Sequence, residues 1–546
     1  MYNVHMFRKL VNYVEKQDIS ITQWIVGFIG IIFVRFFLEA ISSPSSTEII
    51  ASDASTLVHY SIFYFVVALG LSFIIYCFTK NKNIYKTVLF FLPIIWLPPI
   101  LDIIFTAGAG SNMSYFFTGN RLLLVDFLTF FPPRIVQGIT LGIRTEIFLV
   151  VIATAWYVWG FRKSFLVTFI STFSSFVFIF CLLAAPGLLY TISHPSFFAS
   201  PVSETLVFIK NSIIESKLTG NIIHGALLPK NYNRLLDFGF NALMSQLEII
   251  LGLIILGLWF YRTQKEKFIS IVKNSRPERI LFYLILMSFG LGMAYIQNLG
   301  VIKNWVDILS IIVLFISWYS AWMFAVHIND IADEKIDAVS NTNRPIITGK
   351  LSNTEMRQVS IIWLIISLIG SFAVGYYPFF MNIVFTIAYY VYSANPLRFK
   401  RVPILSSFLI SIACLSTIMA GFFYLSEDKQ FTIFPAFLAL GLLLVFTLAV
   451  NIRDVKDIAG DKADGIYTLP VLFGKYGINI VGSMFSLSFF LLPIFLSKYY
   501  LLYLTIPFGS AGYFLVVREV YKKKYIFYLF YTFAAAYLLM YLFFGW

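Results

Sequence analysis

The feature that most constrains this chain is its series of apolar runs, each long enough to cross a lipid bilayer. A spanning helix needs about 20 predominantly apolar residues, because the hydrocarbon core of a bilayer is about 30 Å thick. The 546-residue sequence has a mean hydropathy of +0.83, and only 12% of its residues are charged. Fifteen runs are candidate spans, at roughly 22–42, 58–79, 87–105, 145–161, 164–188, 240–261, 280–298, 305–328, 358–376, 379–394, 403–425, 431–451, 477–496, 501–517 and 525–545. They predict an all-α polytopic membrane protein.

Positive charge alternates between the loops that join these runs. With the N-terminus in the cytoplasm, most lysines and arginines fall in loops on one side, near 80–86, 162–163, 262–279, 335–357, 398–401, 453–475 and 518–524. Opposite loops such as 43–57 and 426–430 are poor in positive charge. This is the positive-inside pattern. We predict a multi-pass protein of the cell (plasma) membrane, whose net charge of +13 reflects cytoplasmic loops and not nucleic-acid binding.

A basic linker at 261–280 divides the chain into two predicted domains. Residues 1–270 hold six candidate spans and form an N-terminal multi-span domain of unknown function. Residues 271–546 hold nine candidate spans and all the clustered carboxylates.

The N-terminal part resembles no family, and its polar residues are scattered. Five of them fall near predicted membrane depth, where polar groups line the interior of a helix bundle or an interface: Asp102, Asp126, Arg134, Arg144 and Glu146. His194 and His224 are lone loop histidines and do not predict a metal site. The alternative is a module that handles lipid or presents an acceptor to the second domain.

Three carboxylates follow directly after the eighth apolar run, at Asp330, Asp333 and Asp337. On one helix, their spacing places all three side chains within about 60° of one another, and Asn329 borders the same face. Like charges this close repel, and they repel more strongly in a less polar place. The pattern therefore predicts a bound cation.

The same spacing recurs at Asp454, Asp457 and Asp461, again after an apolar run. Oxygen ligands without clustered histidine or cysteine favour Mg²⁺ over zinc. Because Mg²⁺ takes its remaining ligands from water and phosphates, the two acid clusters could bracket a diphosphate. The alternative interpretation is two solvated helix ends that keep juxtamembrane loops soluble.

Basic residues accompany the acids on the same loops. Arginine forks suit phosphate oxygens and lysine supplies a point charge. The candidates for diphosphate binding are Arg344, Arg398, Lys400, Arg401, Arg453, Lys456 and Lys462. For any one of them, the alternative is an ordinary cytoplasmic loop charge.

Four motifs together resemble the UbiA-type intramembrane prenyltransferases: NDIADEKID (329–337), the following NRPIITGKLS, YSANPLRFKR (392–401) and RDVKDIAGDKADGIYTLPVLFG (453–474). Arg276-Pro277 also matches the usual opening of that family. The resemblance covers roughly 270–546. It implies a nine-helix bundle with a cytoplasmic active site, and transfer of a prenyl group from an allylic diphosphate to an acceptor, usually an aromatic ring.

The resemblance also implies roles for individual residues. Asn329, Asp333 and Asp337 would form the first Mg²⁺ motif, Asp457 and Asp461 the second, and Asp330 and Asp454 would extend them. Arg344, Lys400, Arg401 and Lys456 would grip the diphosphate. Mg²⁺ and basic groups stabilise the leaving diphosphate, and an aromatic face stabilises the allylic cation. Tyr392 is the candidate aromatic residue.

The second motif is closer to family members that act on geranylgeranylglyceryl phosphate, homogentisate or chlorophyllide than to those that farnesylate haem. A small aromatic or glycerophosphate-type acceptor is therefore expected. A related branch of the fold transfers phosphoribosyl groups to polyprenyl phosphate and stays an alternative. The rival from another class is an ion or metal transporter, which predicts carboxylates near the middle of the membrane.

Overall fold

The computed structural model describes residues 2–42, 54–108, 114–116, 123–131, 139–194, 202–218, 232–456, 458–463, 465–518 and 523–544. The described residues are almost entirely helical, and fourteen helices are long and apolar enough to cross a membrane. This confirms the prediction of an all-α polytopic membrane protein. The tenth predicted run forms an 18-residue helix, Tyr376–Ser393, which is not among the fourteen because its tyrosines and Asn382 lower its hydropathy.

The chain folds into two compact units. The N-terminal unit consists mainly of Met1–Thr219 and Pro229–Gln264, and the C-terminal unit mainly of Lys265–Lys303 and Asp307–Trp546. The two functional domains predicted from the sequence stay a prediction.

The N-terminal unit is a bundle built around one helix, α3. Its helices are α1 (Tyr2–Lys16), α2 (Ile21–Ser42), α3 (Ala54–Thr79), α4 (Ile84–Phe91), α5 (Leu97–Phe105), α6 (Leu123–Leu128), α7 (Leu141–Arg162), α8 (Phe165–Leu183), α9 (Ala185–Ser193), α10 (Val202–Glu215) and α11 (Tyr232–Thr263). Helix α3 packs against α8 and α11. It is central because it is apolar around most of its circumference, which favours burial.

Polar contacts tie α1 to this bundle. Glu15 accepts hydrogen bonds from Tyr157 Oη (2.6 Å), Thr87 Oγ1 (3.0 Å) and Asn81 Nδ2 (2.7 Å). Val11 lies in the same apolar cluster as Ile75 and Val158. The buried carboxylate is therefore matched by three donors, as a buried charge requires.

The polar residues singled out in this unit have mixed surroundings. Asp102 Oδ1 accepts a hydrogen bond from the Gly142 backbone (2.9 Å) and so joins α5 to the start of α7. Asp126 and Arg144 are buried, and Glu146 interacts with Arg35 and Glu39. His194 is exposed and stacks on Tyr190. Arg134 and His224 lie outside the described residues.

The C-terminal unit holds nine long helices among its described residues. In chain order its helices are α12 (Lys265–Lys273), α13 (Pro277–Ile296), α14 (Trp305–Ala332), α15 (Glu334–Ser340), α16 (Asn353–Val374), α17 (Tyr376–Ser393), α18 (Leu405–Leu425), α19 (Ala436–Val450), α20 (Ile458–Ala463), α21 (Leu469–Phe473), α22 (Lys475–Phe495), α23 (Leu502–Val517) and α24 (Lys523–Phe544). Helix α18 is the most buried, and it packs on α13, α17 and α19.

Two glycines allow α13 and α18 to approach closely. A Cβ atom on Gly290 would lie 1.9 Å from the carbonyl oxygen of Ile418, and one on Gly421 would lie 2.2 Å from that of Met287. Small residues at such crossings let membrane helices pack backbone to backbone. This crossing fixes the position of α13, which forms one wall of the site described next.

Candidate active site

A cavity of about 680 Å³ lies within the C-terminal unit. Its described lining includes four aspartates and five basic residues, and these come from the ends of helices or from the segments after them: Asp333, Asp337, Asp454, Asp461, Arg276, Arg279, Arg344, Lys400 and Arg453. The lining then follows α13 from Arg279 to Ile296, a length of about 25 Å at 1.5 Å per residue. The cavity is therefore elongated, with charged groups at one end.

The remaining lining is mostly apolar. It includes aromatic side chains from α13, α19, α22 and α24: Phe282, Phe289, Phe446, Phe485, Phe489, Phe527 and Phe530. Apolar walls of this kind suit a hydrocarbon chain and exclude water from the charged end.

The first acid cluster does not lie on one helix, contrary to the sequence prediction. Helix α14 ends at Ala332 and α15 begins at Glu334, because Asp333 leaves the helical conformation (φ −104°, ψ 15°). Helical hydrogen bonds continue through the break, from Asp333 N to Asn329 O (2.9 Å) and from Asp337 N to Asp333 O (2.8 Å). Asn329, Asp333 and Asp337 consequently line the cavity, whereas Asp330 is not part of its described lining.

Asp330 instead holds together the segment that precedes α13. Its buried carboxylate accepts hydrogen bonds from Asn274 Nδ2 (2.7 Å) and Arg276 Nη2 (2.5 Å). Arg344 Nη1 donates to Asn274 Oδ1 (2.9 Å). The contacts of Asp330 thus orient two arginines of the cavity, and its predicted role as a metal ligand stays a prediction.

Asp333 is paired with the basic loop after α17. Its Oδ1 accepts hydrogen bonds from Arg398 Nη2 (2.9 Å) and from Lys400 Nζ, and its Oδ2 accepts one from Asn329 Nδ2 (2.8 Å). Arg398 has a left-handed backbone (φ 41°), which a non-glycine residue adopts only at a cost. Such strain, together with the buried ion pairs, indicates a position that the surrounding structure holds firmly.

Asp337 lies one turn further along. Its Oδ1 accepts a hydrogen bond from Asn341 Nδ2 (2.8 Å), and its Oδ2 lies 3.7 Å from Arg344 Nε. Burial raises the pKa of Asp337 to about 6, while the Arg344 guanidinium opposes the rise. A cation bound beside this carboxyl group would favour its ionised form.

The second acid cluster also spans two elements, the 3₁₀ helix Asn451–Lys456 and α20. Asp454 Oδ1 lies 3.3 Å from Arg453 Nε, and Asp461 is buried in the lining of the cavity. Helix α20 packs against α15, so the two clusters face one cavity, as the sequence predicted. Asp457 lies outside the described residues, and so does the side chain of Lys456.

Some of the predicted basic residues line the cavity, and so do two that were not predicted. Arg344, Lys400 and Arg453 line the cavity, whereas Arg398, Arg401 and Lys462 are not in its described lining. Arg276 and Arg279 line it but were not predicted as binding residues. The sequence signal for Arg276 is the Arg-Pro pair at 276–277. In the structure, Arg276 directly precedes α13 and has a left-handed backbone (φ 53°).

Three of these arginines have buried N–H groups without a hydrogen-bond partner among the described residues: Arg276 Nε, Arg344 Nε and Arg453 Nη2. An unsatisfied buried donor costs about 1–3 kcal/mol. At the charged end of the cavity, these N–H groups could donate hydrogen bonds to an anion that has several acceptor oxygens.

Tyr392 also lies in the cavity lining, with the Arg453 guanidinium 4.6 Å from the centre of its ring. Tyr389 contacts it edge to face, and Tyr389 and Tyr283 are joined by a hydrogen bond between their hydroxyl groups. The charged end therefore has aromatic faces beside it, and the sequence identified only Tyr392.

The cavity has the donor set expected for a hard divalent cation. Carboxylate and amide oxygens are ligands that suit Mg²⁺. The lining offers such oxygens from five side chains: Asn329, Asp333, Asp337, Asp454 and Asp461. Within the described residues, no group of three acids, histidines or cysteines lies close enough to enclose an ion. A cation here would therefore complete its coordination with water or a ligand, as Mg²⁺ commonly does.

Part of this unit matches a known protein family. Residues 285–534 match the UbiA prenyltransferase family. The chain is 25% identical over 189 residues to digeranylgeranylglyceryl phosphate synthase of Methanocaldococcus jannaschii, a match covering 35% of this chain and 64% of that protein. It is 30% identical over 180 residues to the synthase of the same name from Methanothermobacter thermautotrophicus, covering 32% and 61%. The chain thus spans less than two thirds of these relatives.

Solved structures give a weaker likeness. A UbiA homologue from Archaeoglobus fulgidus bound to GPP and Mg²⁺ aligns with a TM-score of 0.42 and 19% identity, covering 50% of this chain and 97% of that one. A solved structure of a digeranylgeranylglyceryl phosphate synthase aligns with a TM-score of 0.37 and 22% identity. The alignment covers 50% of this chain and 98% of that one.

Proposed function

We propose, from the match of residues 285–534 to the UbiA prenyltransferase family, that the C-terminal unit transfers a prenyl group from an allylic polyprenyl diphosphate to an acceptor. The observation that carries the proposal is the joint placement of four aspartates and three arginines with unpartnered N–H groups at one end of a long apolar cavity. A prenyl diphosphate has the same division into a charged end and an apolar chain.

The basic residues hold the diphosphate. Arg276, Arg344 and Arg453 each have a buried N–H group that makes no hydrogen bond to the described residues, and Arg279 and Lys400 add charge to the same lining. Hydrogen bonds between guanidinium groups and phosphate oxygens are short and strong. They strengthen as the C–O bond breaks, because negative charge then builds on the leaving oxygen.

The aspartates would hold Mg²⁺ against that diphosphate. We assign the ligands to Asp333, Asp337, Asp454 and Asp461 with Asn329, and the sequence motif adds Asp457. When bound, Mg²⁺ neutralises the charge of the diphosphate and so makes it a better leaving group. Lys400 and Arg398 keep Asp333 in place through the ion pairs described above.

The aromatic residues serve the other fragment. Departure of diphosphate leaves an allylic cation, and a ring face attracts a cation within about 6 Å of its centre. Tyr392 and Tyr389 lie in the lining next to Arg453, which binds the leaving group. The phenylalanines along α13 and α24 hold the prenyl chain and exclude water, which would otherwise capture the cation.

For the acceptor we propose a glycerophosphate-type lipid precursor in preference to an aromatic ring. The relatives reported above bear the name digeranylgeranylglyceryl phosphate synthase. We place the active site at the cytoplasmic side, because its segments coincide with the basic loops of the sequence.

The test uses the purified full-length protein in nanodiscs with labelled geranylgeranyl diphosphate, Mg²⁺ and separate acceptors. We expect a prenylated product with geranylgeranylglyceryl phosphate and little with homogentisate. Product with homogentisate alone would refute the acceptor, and no product with any acceptor would refute prenyl transfer. Phosphoribosyl transfer to polyprenyl phosphate, or ion flux in proteoliposomes without product, would support the two alternatives.

A further inference from the structure

The N-terminal unit contains a buried chain of hydrogen bonds that no step of prenyl transfer uses. It joins His59 on α3, Tyr115 in the described segment 114–116 and Glu248 on α11. Tyr115 Oη lies 2.7 Å from His59 Nε2 and 2.8 Å from Glu248 Oε1. All three residues are at most 7% exposed, and two of them belong to membrane-spanning helices. Ionisable residues at such positions are rare and usually functional.

The tautomer of His59 follows from its other contact. Asn241 Nδ2 donates to Ser55 Oγ (3.2 Å) and Thr56 Oγ1 (3.0 Å), so Asn241 Oδ1 faces His59 Nδ1 at 3.0 Å. An amide oxygen only accepts, so His59 Nδ1 carries a hydrogen. In the neutral imidazole, His59 Nε2 is then an acceptor.

With neutral His59 and ionised Glu248, this chain of hydrogen bonds lacks one proton. Three atoms lie within 3.4 Å of one another, namely His59 Nε2, Tyr115 Oη and Glu248 Oε1, and the two hydrogen bonds through Tyr115 Oη need two hydrogens. Tyr115 supplies one, and its phenol stays protonated because burial and the Glu248 carboxylate raise its pKa well above the ordinary value. With neutral His59 and ionised Glu248, one contact would therefore join two acceptors.

We propose that His59, Tyr115 and Glu248 form a proton-binding site in the membrane-spanning N-terminal unit, with the bound proton on Glu248. Glu248 then donates to Tyr115, Tyr115 donates to His59 Nε2, and His59 Nδ1 donates to Asn241. The hydrogen bonds run in one direction and each contact has one hydrogen. Moving the same proton along the chain gives an ion pair between ionised Glu248 and an imidazolium at His59, 3.4 Å apart, and a buried ion pair carries a high desolvation cost.

A second observation favours the proton on Glu248. Its other oxygen, Oε2, is buried and has no hydrogen-bond partner. A carboxylate with one bare oxygen is costly in a buried place, whereas the carbonyl oxygen of a carboxylic acid tolerates it better. Glu15 in the same unit offers the contrast, because three donors surround its carboxylate and no proton is needed there.

His59 is also the nearest group that could become a cation beside Glu248, since its Nε2 lies 3.4 Å from Glu248 Oε1. Tyr60, beside His59 on α3, interacts with Glu39, Glu248 and Arg35. Arg35 on α2 pairs with Glu39, donates to Tyr64 Oη (3.3 Å) and also interacts with Glu146 of α7. A proton on Glu248 and an imidazolium at His59 are therefore the two states that the experiments must separate.

The test is infrared spectroscopy of the full-length protein in nanodiscs at neutral pH, in H₂O and D₂O. We expect a protonated-carboxyl C=O band that shifts in D₂O, disappears in Glu248→Gln and shifts in Tyr115→Phe. Glu15→Gln and Tyr157→Phe are the matched controls and should leave that band unchanged. Identical native and Glu248→Gln spectra in this region would overturn the proposal.

A second measurement does not depend on the folding of the glutamine variant. In native protein labelled with ¹⁵N-histidine, nitrogen NMR should find His59 neutral with its hydrogen on Nδ1. Tyr115→Phe should change the Nε2 resonance, since it removes the donor to that atom. An imidazolium, or a hydrogen on Nε2, would contradict the assignment.

Discussion

The buried charged groups of the two units are satisfied in different ways. In the C-terminal unit, aspartates and basic residues are paired along a cavity, and several arginine N–H groups have no protein partner. In the N-terminal unit, His59, Tyr115 and Glu248 are enclosed, and one proton completes their hydrogen bonds. Charges that line a cavity can be satisfied by a ligand, whereas enclosed charges must be satisfied by protein or by protons. The comparison assigns a ligand to one unit and a proton to the other.

Removal of divalent cations should separate the two units most sharply. With excess EDTA, we expect prenyl transfer to be abolished and then restored by added Mg²⁺, because the aspartates of the cavity would repel a diphosphate when no cation lies between them. The carboxyl band of Glu248 should not change. Product formation and infrared spectra on the same sample test both statements, and undiminished transfer in EDTA would contradict the role of the aspartates.

Substitution of one cavity aspartate should have the next largest effect. Asp333→Ala should lower kcat by roughly 100- to 1000-fold, the range typical of lost electrostatic stabilisation. The motif predicts a similar loss for Asp457→Ala. Glu427→Ala, which removes an exposed acid outside the described lining, is the control. Single-turnover assays with labelled diphosphate provide the measurement, and near-native turnover by Asp333→Ala would exclude it as a ligand.

The aromatic face should contribute less. Tyr392→Leu should slow transfer by about 10-fold, since a cation over a ring is worth about 0.5–2 kcal/mol. Tyr392→Phe keeps the ring and should remain within a few-fold of the native rate. If the two variants behave alike, the hydroxyl group and not the ring face is what matters.

In the N-terminal unit, the expected effect is on stability and not on the rate of transfer. Tyr115→Phe removes the hydroxyl group between His59 and Glu248 and should destabilise the protein by about 1–3 kcal/mol, the cost of a buried polar group left without its partner. Thermal unfolding in one detergent, compared with Tyr157→Phe, measures this. A Tm equal to that of the native protein would show that the hydroxyl group is not essential to the network.

Much of the fold was predictable, because lipid imposes a simple requirement. A bilayer fixes the length and polarity of each span, so fourteen of the fifteen apolar runs correspond to candidate spans. The tenth run is helical, but its helix Tyr376–Ser393 contains tyrosines at five positions, so its composition alone does not mark it as a span. The two acid clusters were also predictable as one site, since their spacing and the motif resemblance pointed to a shared ligand.

The details of the site were less accessible. Asp330 has the spacing of a cavity ligand, yet it is not in the described lining of the cavity. Its carboxylate instead accepts hydrogen bonds from Asn274 and Arg276. Arg279 is one charge in a basic linker, and only the packing of α13 on α18 turns it into a wall residue. Neither fact has a local signal, because both depend on contacts between segments far apart in the chain.

By itself, the sequence determined that this protein crosses the membrane many times and that two groups of acids with the same spacing follow apolar runs in its C-terminal part. These are consequences of hydropathy and of local spacing, which the order of residues contains directly. Only the tertiary structure decided which acids and arginines face the cavity, and that residues 59, 115 and 248 meet. The reason is that hydrogen bonds between distant segments depend on how helices pack, and single polar residues in apolar runs do not encode their partners.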